Sequence, residues 1–415
     1  LDNNGEPVYF QKNNESEIAT DFKVLSNGLL AYWQDNAYFL LDNSYNLVRK
    51  ITPGNGYELV DVHELILLPN GNYMFLIYDG QIIDMSSLVP GGNPNAYVIE
   101  TVIQEVDSDD NVIFQWNSLD HIPVTDSNQD LTAERIDYIH SNSIELDNDG
   151  NLLLSNRHLD DVTKINYQTG DIMWRLGGKA NEFAFSTAAG IEGVENFYMQ
   201  HDVRRLPNGN ISLFDNHNAH LPLISRALEY SLDEVNKTAE LVWEYKNTPD
   251  LFSGFMGNVQ YLPNGNIMIG WGGTSNPNLT EIKPDGTKVL ELGFDAPYVN
   301  YRTYRFPWQG YPTWAPELVL QPAQDALNLF FSWNGATEIT KYRIYGSHSG
   351  GAFTLLGEVP RSGFESEISL VGIQTDYCFY QVMPIDKEGH TTQFSNRVRN
   401  PACSLIYIPS ILYTE

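Results

Sequence analysis

The stretch HELILLPNGNYMFLIYD, running from His63 to Asp79, decides the reading of the fold. Two apolar runs flank Pro69-Asn70-Gly71. Asn-Gly between such runs predicts a β-hairpin closed by a type I′ turn, because both central residues of that turn need φ > 0. The string LPNGN occurs three times, at Leu68–Asn72, Leu206–Asn210 and Leu262–Asn266. Weaker copies are Leu25-Ser26-Asn27-Gly28 and Leu146-Asp147-Asn148-Asp149-Gly150-Asn151. One structural unit is therefore reused along the chain.

A second turn follows in most units and leads into an apolar or Trp-bearing strand, as in Asp107–Trp116, Tyr167–Leu176 and Lys283–Leu292, with Ala239–Tyr245 in the same place. Each unit then holds about four strands, and long helical periodicity is missing. The reading is an all-β chain whose residues 1–316 form a six-bladed β-propeller. Five turns are visible. The sixth blade is expected where Tyr301–Trp308 joins Pro7–Gln11 and closes the ring. The long step from Gly71 to Gly150 leaves room for an inserted loop around Leu119–Arg135. Two stacked β-sandwiches are the competing architecture.

Beyond residue 316 the pattern changes. Leu327–Trp333, Lys341–Tyr345, Glu367–Leu370, Tyr377–Val382 and Phe394–Val398 read as alternating strands. With an inward Trp333 and a turn at Gly389, residues 317–403 resemble a fibronectin type III domain, a β-sandwich. Residues 404–415 remain as a tail, apolar enough for a strand or the start of a removed segment. The resemblance implies a spacing or binding role for this domain rather than catalysis.

The chain has 415 residues and carries 24 basic against 53 acidic side chains, a net charge of −29. Such a balance argues against a phosphate-backbone binder, so no nucleic acid is expected as partner. It argues equally against docking on anionic membranes. A hydrophobic content of 42% with 12% aromatics supplies a core and excludes wholesale disorder. No apolar run is long enough for a transmembrane helix. Leu1 is not followed by a signal-peptide core, which reads as a processed or trimmed chain. The acidic, Asn-rich, Lys-poor composition suits an exported protein, secreted or periplasmic. Sequons at Asn14, Asn236 and Asn278 are too common by chance to decide this. The two cysteines, Cys378 and Cys403, exclude a disulfide framework and a four-cysteine zinc site. They stand at nearly equal distances from the turn at Gly389, so they are expected side by side. Bridged and free thiols both stay open here.

Eight residues before the turn glycines stand Thr20, His63, Asn142, His201 and Gly257. The first strand of each propeller blade lines the central channel, so these positions converge on one axial region. Two of the nine histidines and an asparagine thus share one level. His140 should face the same way as Asn142, by the period of two along a strand. Arg157 falls on the second strand of the same blade and adds a cation. Asp202, next to His201, should point to the opposite face and serve a structural role. A lone histidine on a half-buried strand is ordinarily a satisfied polar group; three polar residues in register on separate blades point instead to a site. His121, His158, His217 and His220 read as loop, rim or outer residues, and His348 and His390 as surface.

The sequence around these residues is familiar. DYIHSNSIELDNDGNLLLSNRH (Asp137–His158), YQTGDIMWRLGGK (Tyr167–Lys179) and QHDVRRLPNGNISLFDNH (Gln200–His217) resemble the arylsulfotransferase family, as do VHELILLPNGN (Val62–Asn72) and LDHIPVTDS (Leu119–Ser127). The resemblance runs over about residues 5–315. It implies a six-bladed propeller that moves a sulfuryl group from an aryl sulfate to a phenol through a sulfohistidine, without a nucleotide sulfate donor. Carried over by motif, His201 is the expected nucleophile. His140 with Asn142, Arg157, and His63 complete the expected catalytic set. His63 or His140 would protonate the leaving phenolate, and Arg157 with Asn142 would hold the sulfuryl oxygens. Neither cofactor nor metal is expected, and the partners are a small-molecule aryl sulfate and a phenol. The fibronectin-like tail departs from the family pattern.

Two other readings compete. Three converging histidines also suit a zinc site of a metal-dependent hydrolase or lyase, which Arg157 at the same spot opposes. A non-catalytic propeller serving as a binding module is the other. The acidic turns at Asp107–Asp110 and Asp147–Asp149 lack the complete EF-hand pattern and read as ordinary hairpin turns.

Overall fold

The computed structural model describes residues 1–12, 18–191, 196–274 and 276–403. The sequon at Asn14 and the tail 404–415 lie outside the described residues. The chain divides into two units: residues 13–41 with 47–306, and residues 1–12, 42–46 and 307–415.

The repeated turn sets the pairing in the larger unit. The Leu68 carbonyl accepts the Gly71 N–H, and the Leu68 N–H donates to the Asn72 carbonyl, each at 2.9 Å. The same two bonds recur at Leu206, Leu262, Leu25 and Asp147. In the three LPNGN copies only the glycine has positive φ, at +88° for Gly71, +90° for Gly209 and +86° for Gly265. The expected type I′ turn is therefore replaced by a type I turn followed by a left-handed glycine, a hairpin with a G1 bulge. In the LPNGN copies proline enforces this turn, which the Leu25 and Asp147 copies adopt without it. A two-residue loop on Asn70-Gly71 would make Pro69 part of the closing pair, which needs the N–H that proline lacks. Moving the pair out to Leu68 and Asn72 makes Pro69 the first central residue of a type I turn, where φ near −65° fits.

Five antiparallel sheets of four strands follow, each in sequence order from the inner strand outward. Their inner strands are Thr20–Val24, Leu65–Leu67, Ser141–Leu146, His201–Arg205 and Asn258–Tyr261. The second sheet gains Arg135–Asp137 and the fourth gains Ala184–Thr187, both paired in parallel. Helical structure among the described residues is limited to short 3-10 turns. Buried apolar clusters fill the spaces between successive sheets: Leu76, Ile103, Ile144 and Leu154 in one, Val162, Leu176, Leu213 and Leu228 in the next.

Residues 301–306 form no strand, yet they lie against the inner strand Asn258–Tyr261 and reach the first inner strand. The Asn258 amide donates to the Thr303 carbonyl and accepts its N–H, both at 2.7 Å. Gln260 does the same for Arg305, at 3.0 and 2.7 Å. Arg302 then reaches Asp21 of the first inner strand at 3.2 Å. The expected pairing of Tyr301–Trp308 with Pro7–Gln11 is not formed. Side-chain amides already occupy the backbone groups of Thr303 and Arg305, while Val8 and Phe10 bond to Gly335 and Asn334.

The smaller unit packs a three-stranded sheet (Glu317–Pro322, Ala326–Ser332, Glu365–Val371) and a four-stranded sheet (Thr354–Pro360, Ile339–Ser347, Phe379–Asp386, Val398–Arg399) around Leu329, Phe331, Trp333, Tyr342 and Tyr380. Glu317–Pro322 and Thr354–Pro360 were not foreseen, and the last strand is shorter than expected. There the Asn396 side chain replaces a ladder, accepting the Leu318 N–H at 2.7 Å and donating to its carbonyl at 2.9 Å. Cys378 and Cys403 are disulfide-bonded, with Cα atoms 5.5 Å apart.

Candidate active site

Irregularities in the inner strands aim the polar side chains. Pairing slips between Thr20 and Lys23, between Ser141 and Ser143, and between His201 and Arg204. Asp21, His140 and Asp202 take left-handed conformations at φ +52°, +51° and +57°. Such bulges re-aim neighbouring side chains and break the alternation of a regular strand. His63, His140, Arg157 and His201 consequently line one cavity of about 640 Å³, together with Thr20, Trp33, Asp35, Phe255, Met256 and Tyr301. The His63 and His140 rings are 5.0 Å apart between centroids, edge to face, and Tyr78 lies 5.5 Å from His63.

Asn142 does not join them. Its amide donates to the Gln200 carbonyl at 2.7 Å and accepts the Asp202 N–H at 3.4 Å, tying the third sheet to the fourth. The period-of-two argument that linked Asn142 to His140 fails at the left-handed His140 and the slip that follows it. Arg157 sits just past the second strand, in the turn Arg157–Leu159. It donates to the Gly254 carbonyl at 2.9 Å and to His158 Nε2 at 2.6 Å, and its buried Nε makes no hydrogen bond within the protein.

The hydrogen-bond partners assign the imidazole protons. His63 Nδ1 faces Asp61 and His140 Nδ1 faces Asp137, each at 2.5 Å. A carboxylate accepts, so both rings carry Nδ1–H and direct Nε2 elsewhere. His158 Nδ1 donates to the Asp137 carbonyl at 2.6 Å, which leaves its Nε2 to accept from Arg157. His201 differs. Its Nδ1 faces the Asn216 amide oxygen at 2.6 Å, and the orientation of that amide is fixed because Asn216 Nδ2 donates to the Ser253 and Met256 carbonyls at 2.8 and 2.9 Å. His201 Nε2 therefore keeps its lone pair, touched by the Met256 N–H at 3.2 Å.

Burial, reinforced by the Arg157 charge, holds His201 well below the usual imidazole range. Burial lowers His140 too, against the pull of Asp137. Burial and then His140 push His158 down to about 4. Burial alone would raise Asp137, but the His140 hydrogen bond and the neighbouring imidazoles outweigh it and keep the carboxylate ionised.

Beneath the histidines a buried ion cluster closes the channel. Glu64 pairs with Lys23, with Arg204 at 2.5 Å and with Arg302 at 3.1 Å. Asp202 pairs with Arg204 at 2.6 Å, and Asp21 with Lys23 at 2.6 Å. Burial would raise Glu64; the three cations overcome that and drive it well below the usual range. Asp202 thus belongs to the floor, in the structural role expected of it. Three acids and three bases balance there, so Arg157 is left as the fixed cation of the cavity wall.

Sequence reasoning missed Asp61, Asp137, His158 and Asn216. The acids were visible as Asp61-x-His63 and Asp137-x-x-His140. Asn216 was not, because its closeness to His201 depends on the bulge that pairs His201 with Phe214. His158 was read as an outer residue, yet its ring lies 4.6 Å from that of His140. Asp137, His140 and His158 offer atoms close enough to hold a metal ion. Three of their four ring nitrogens, however, are committed to the Asp137 carboxylate, the Asp137 carbonyl and Arg157, which leaves only His140 Nε2, an arrangement that suits protons better than a dication.

The Arylsulfotransferase (ASST) family model matches residues 1–305. No curated protein matches the chain. Among solved structures, a protein of unknown function from Bacteroides caccae is 13% identical with a TM-score of 0.42, covering 70% of this chain and 86% of that one. The extracellular domain of BT4673 from B. thetaiotaomicron is 10% identical with a TM-score of 0.37, covering 92% of this chain and 56% of that one. Virginiamycin B lyase from Staphylococcus aureus is 10% identical with a TM-score of 0.40, covering 79% and 95%. Likenesses that distant carry no argument about activity. No helix among the described residues is long and apolar enough to cross a membrane. With the family match spanning most of the chain and a cavity lined by three histidines and an arginine, this protein belongs to the arylsulfotransferase family.

Proposed function

We propose that this chain transfers a sulfuryl group from an aryl sulfate to a phenol through a sulfohistidine at His201. The observation that carries the choice is the difference in Nδ1 partners. An amide partner leaves His201 a neutral imidazole whose Nε2 is unprotonated, the form a nucleophile needs once the sulfuryl group displaces the long hydrogen bond from the Met256 N–H. Carboxylate partners fix the Nδ1–H tautomer of His63 and His140 and hold the rings, which leaves each Nε2 to exchange a proton with the substrate, the placement a proton carrier needs.

In the first half-reaction the Nε2 lone pair attacks sulfur, the bond from sulfur to the aryl oxygen breaks, and that oxygen leaves with the electron pair. His63 or His140 gives it a proton. In the second half the same histidine takes the proton of the acceptor phenol. Its oxygen attacks sulfur, and the N–S bond returns its electrons to Nε2. Arg157 holds the sulfuryl oxygens through charge-assisted bonds, and Phe255, Met256 and Tyr301 offer an apolar wall to the ring. Asn142 acts here as a strut behind His201.

We read residues 301–306 as a reduced sixth blade and the smaller unit as a fibronectin type III-like spacer. The acidic composition and the disulfide favour an exported protein.

Incubation with p-nitrophenyl sulfate, with and without phenol, should release nitrophenolate faster when phenol is present. Quenching at alkaline pH without acceptor should trap about 80 Da on the peptide carrying His201, as for a covalent sulfuryl intermediate. His201→Ala should abolish release, and His63→Ala or His140→Ala should slow it roughly 10²–10⁴-fold. Arg157→Lys should also be damaging, because a point charge cannot reproduce the fork. Normal turnover by folded His201→Ala protein would sink this mechanism.

A further inference from the structure

Asp35 lines the same cavity as Arg157 and the histidines, but no group among the described residues engages it. It is exposed and forms neither hydrogen bond nor ion pair within the described residues, whereas Asp61 and Asp137 are spent on imidazoles. Its position is rigid. Asp35 and Asn36 have φ of +47° and +60° in the tight turn between Leu30–Gln34 and Ala37–Leu41. The Asn36 carbonyl accepts the Val60 N–H at 2.9 Å, and Trp33 Nε1 donates to the Val60 carbonyl at 2.8 Å. Turn, indole and the segment leading to His63 are thus bound together. Among the described residues the cavity therefore has one fixed cation, Arg157, and one uncommitted carboxylate, Asp35, and the Trp33 indole shares its lining with apolar Ile18, Val62, Phe255 and Met256.

A carboxylate next to an indole is the chemistry that recognises an ammonium group. We propose that Asp35 and Trp33 form an ammonium subsite, so that the preferred aryl substrates carry a cationic amine at the end opposite the sulfuryl or hydroxyl group. The inference rests on the sulfotransferase reading for the orientation of the substrate. It gives the acidic surface a role in selection: an aryl acid entering this mouth meets Asp35 as a like charge, and an aryl amine meets it as a partner.

Tyramine, 4-ethylphenol and 4-hydroxyphenylacetate share one ring and differ in terminal charge, so they are the probes. Asparagine also tolerates positive φ, and Asp35→Asn should keep the turn. With p-nitrophenyl sulfate as donor, wild-type kcat/KM should rank tyramine above 4-ethylphenol and 4-hydroxyphenylacetate last. Asp35→Asn should lower the tyramine value roughly fivefold, the upper range for an exposed pair, and leave 4-ethylphenol unchanged. Added salt should compress the wild-type ranking. Calorimetric titration of tyramine reads the subsite without turnover. If no phenol accelerates nitrophenolate release, the sulfotransferase reading fails while the titration still decides the subsite. Equal affinity of wild type and Asp35→Asn for tyramine would overturn the proposal.

Discussion

Asn216 is the residue that separates His201 from the other histidines of the channel. It is fully buried, and its own donors are fixed by two carbonyls, so it offers His201 an acceptor that cannot become charged. Asn216→Asp would convert the pair into an Asp–His dyad. The added carboxylate raises the His201 pKa, and a cationic ring cannot attack sulfur. The acidic limb of kcat/KM should move to higher pH, while Asn216→Ala should lower kcat without that displacement. A pH–rate profile on variants with native circular dichroism checks this. Histidine burial also sets acid stability. His201, His140 and His158 are all held below the unfolded imidazole value, so the unfolded chain takes up protons that the folded chain refuses. Stability from these groups is present above the unfolded pKa and is lost as pH falls below it. For His158 the window runs from the unfolded value near 6.5 down to about 4, a loss of about 3 kcal/mol. Urea midpoints should fall across that range, and His158→Gln should show a shallower slope.

The LPNGN hairpin does more than reverse the chain. Asn208 and Asn210 both donate to Glu229 on the third strand of their sheet, at 3.0 and 2.6 Å. Asn70 and Asn72 do the same with Glu105, and Asn266 with Glu281. Each acid is also reached from the next segment around the axis: Glu105 by Tyr167, Glu229 by Tyr261 at 2.6 Å, Glu281 by Arg305. One buried carboxylate therefore fastens the turn and stitches neighbouring sheets. Glu229→Ala leaves two amides and a phenol without their acceptor, and it should destabilise the protein by about 2–3 kcal/mol. Equilibrium urea unfolding measures this, and kcat of the folded fraction should stay unchanged because Glu229 lies outside the cavity lining. The asparagines of the motif were legible as turn formers. Their second task was not, since the acids they meet are separated from them by most of a sheet.

At the scale of the whole molecule the chain is two units with different means of cohesion. The larger is held by apolar clusters between its sheets and by the axial ion cluster on its floor. The smaller has a compact aromatic core and the Cys378–Cys403 bridge, which closes a loop across a sequence separation of 25 residues. In the chain-entropy picture that bridge stabilises its unit by roughly 3 kcal/mol. Reduction should lower a separate unfolding transition of the smaller unit and leave nitrophenolate release intact. Thiol titration of denatured, unreduced protein should find no free thiol.

The sequence by itself determined what depends on local order. The spacing of LPNGN laid out the repeats, and alternation between turns made the chain all-β. Counting from the turn glycines brought His63 and His201 to the same wall, because strands that start from equivalent turns stay in step. Tertiary structure decided what depends on pairing between strands. Closure of the hairpin on Leu68 and Asn72, one residue further out, changed the turn type. The left-handed His140 and the slip after Ser141 broke the period of two, which turned Asn142 into a strut. The slip between His201 and Arg204 brought Asn216 under His201. Side-chain amides, rather than a ladder, held residues 301–306 against Asn258–Tyr261. Except at the hairpin, the deciding contact joins residues distant in sequence, whose meeting local patterning does not encode.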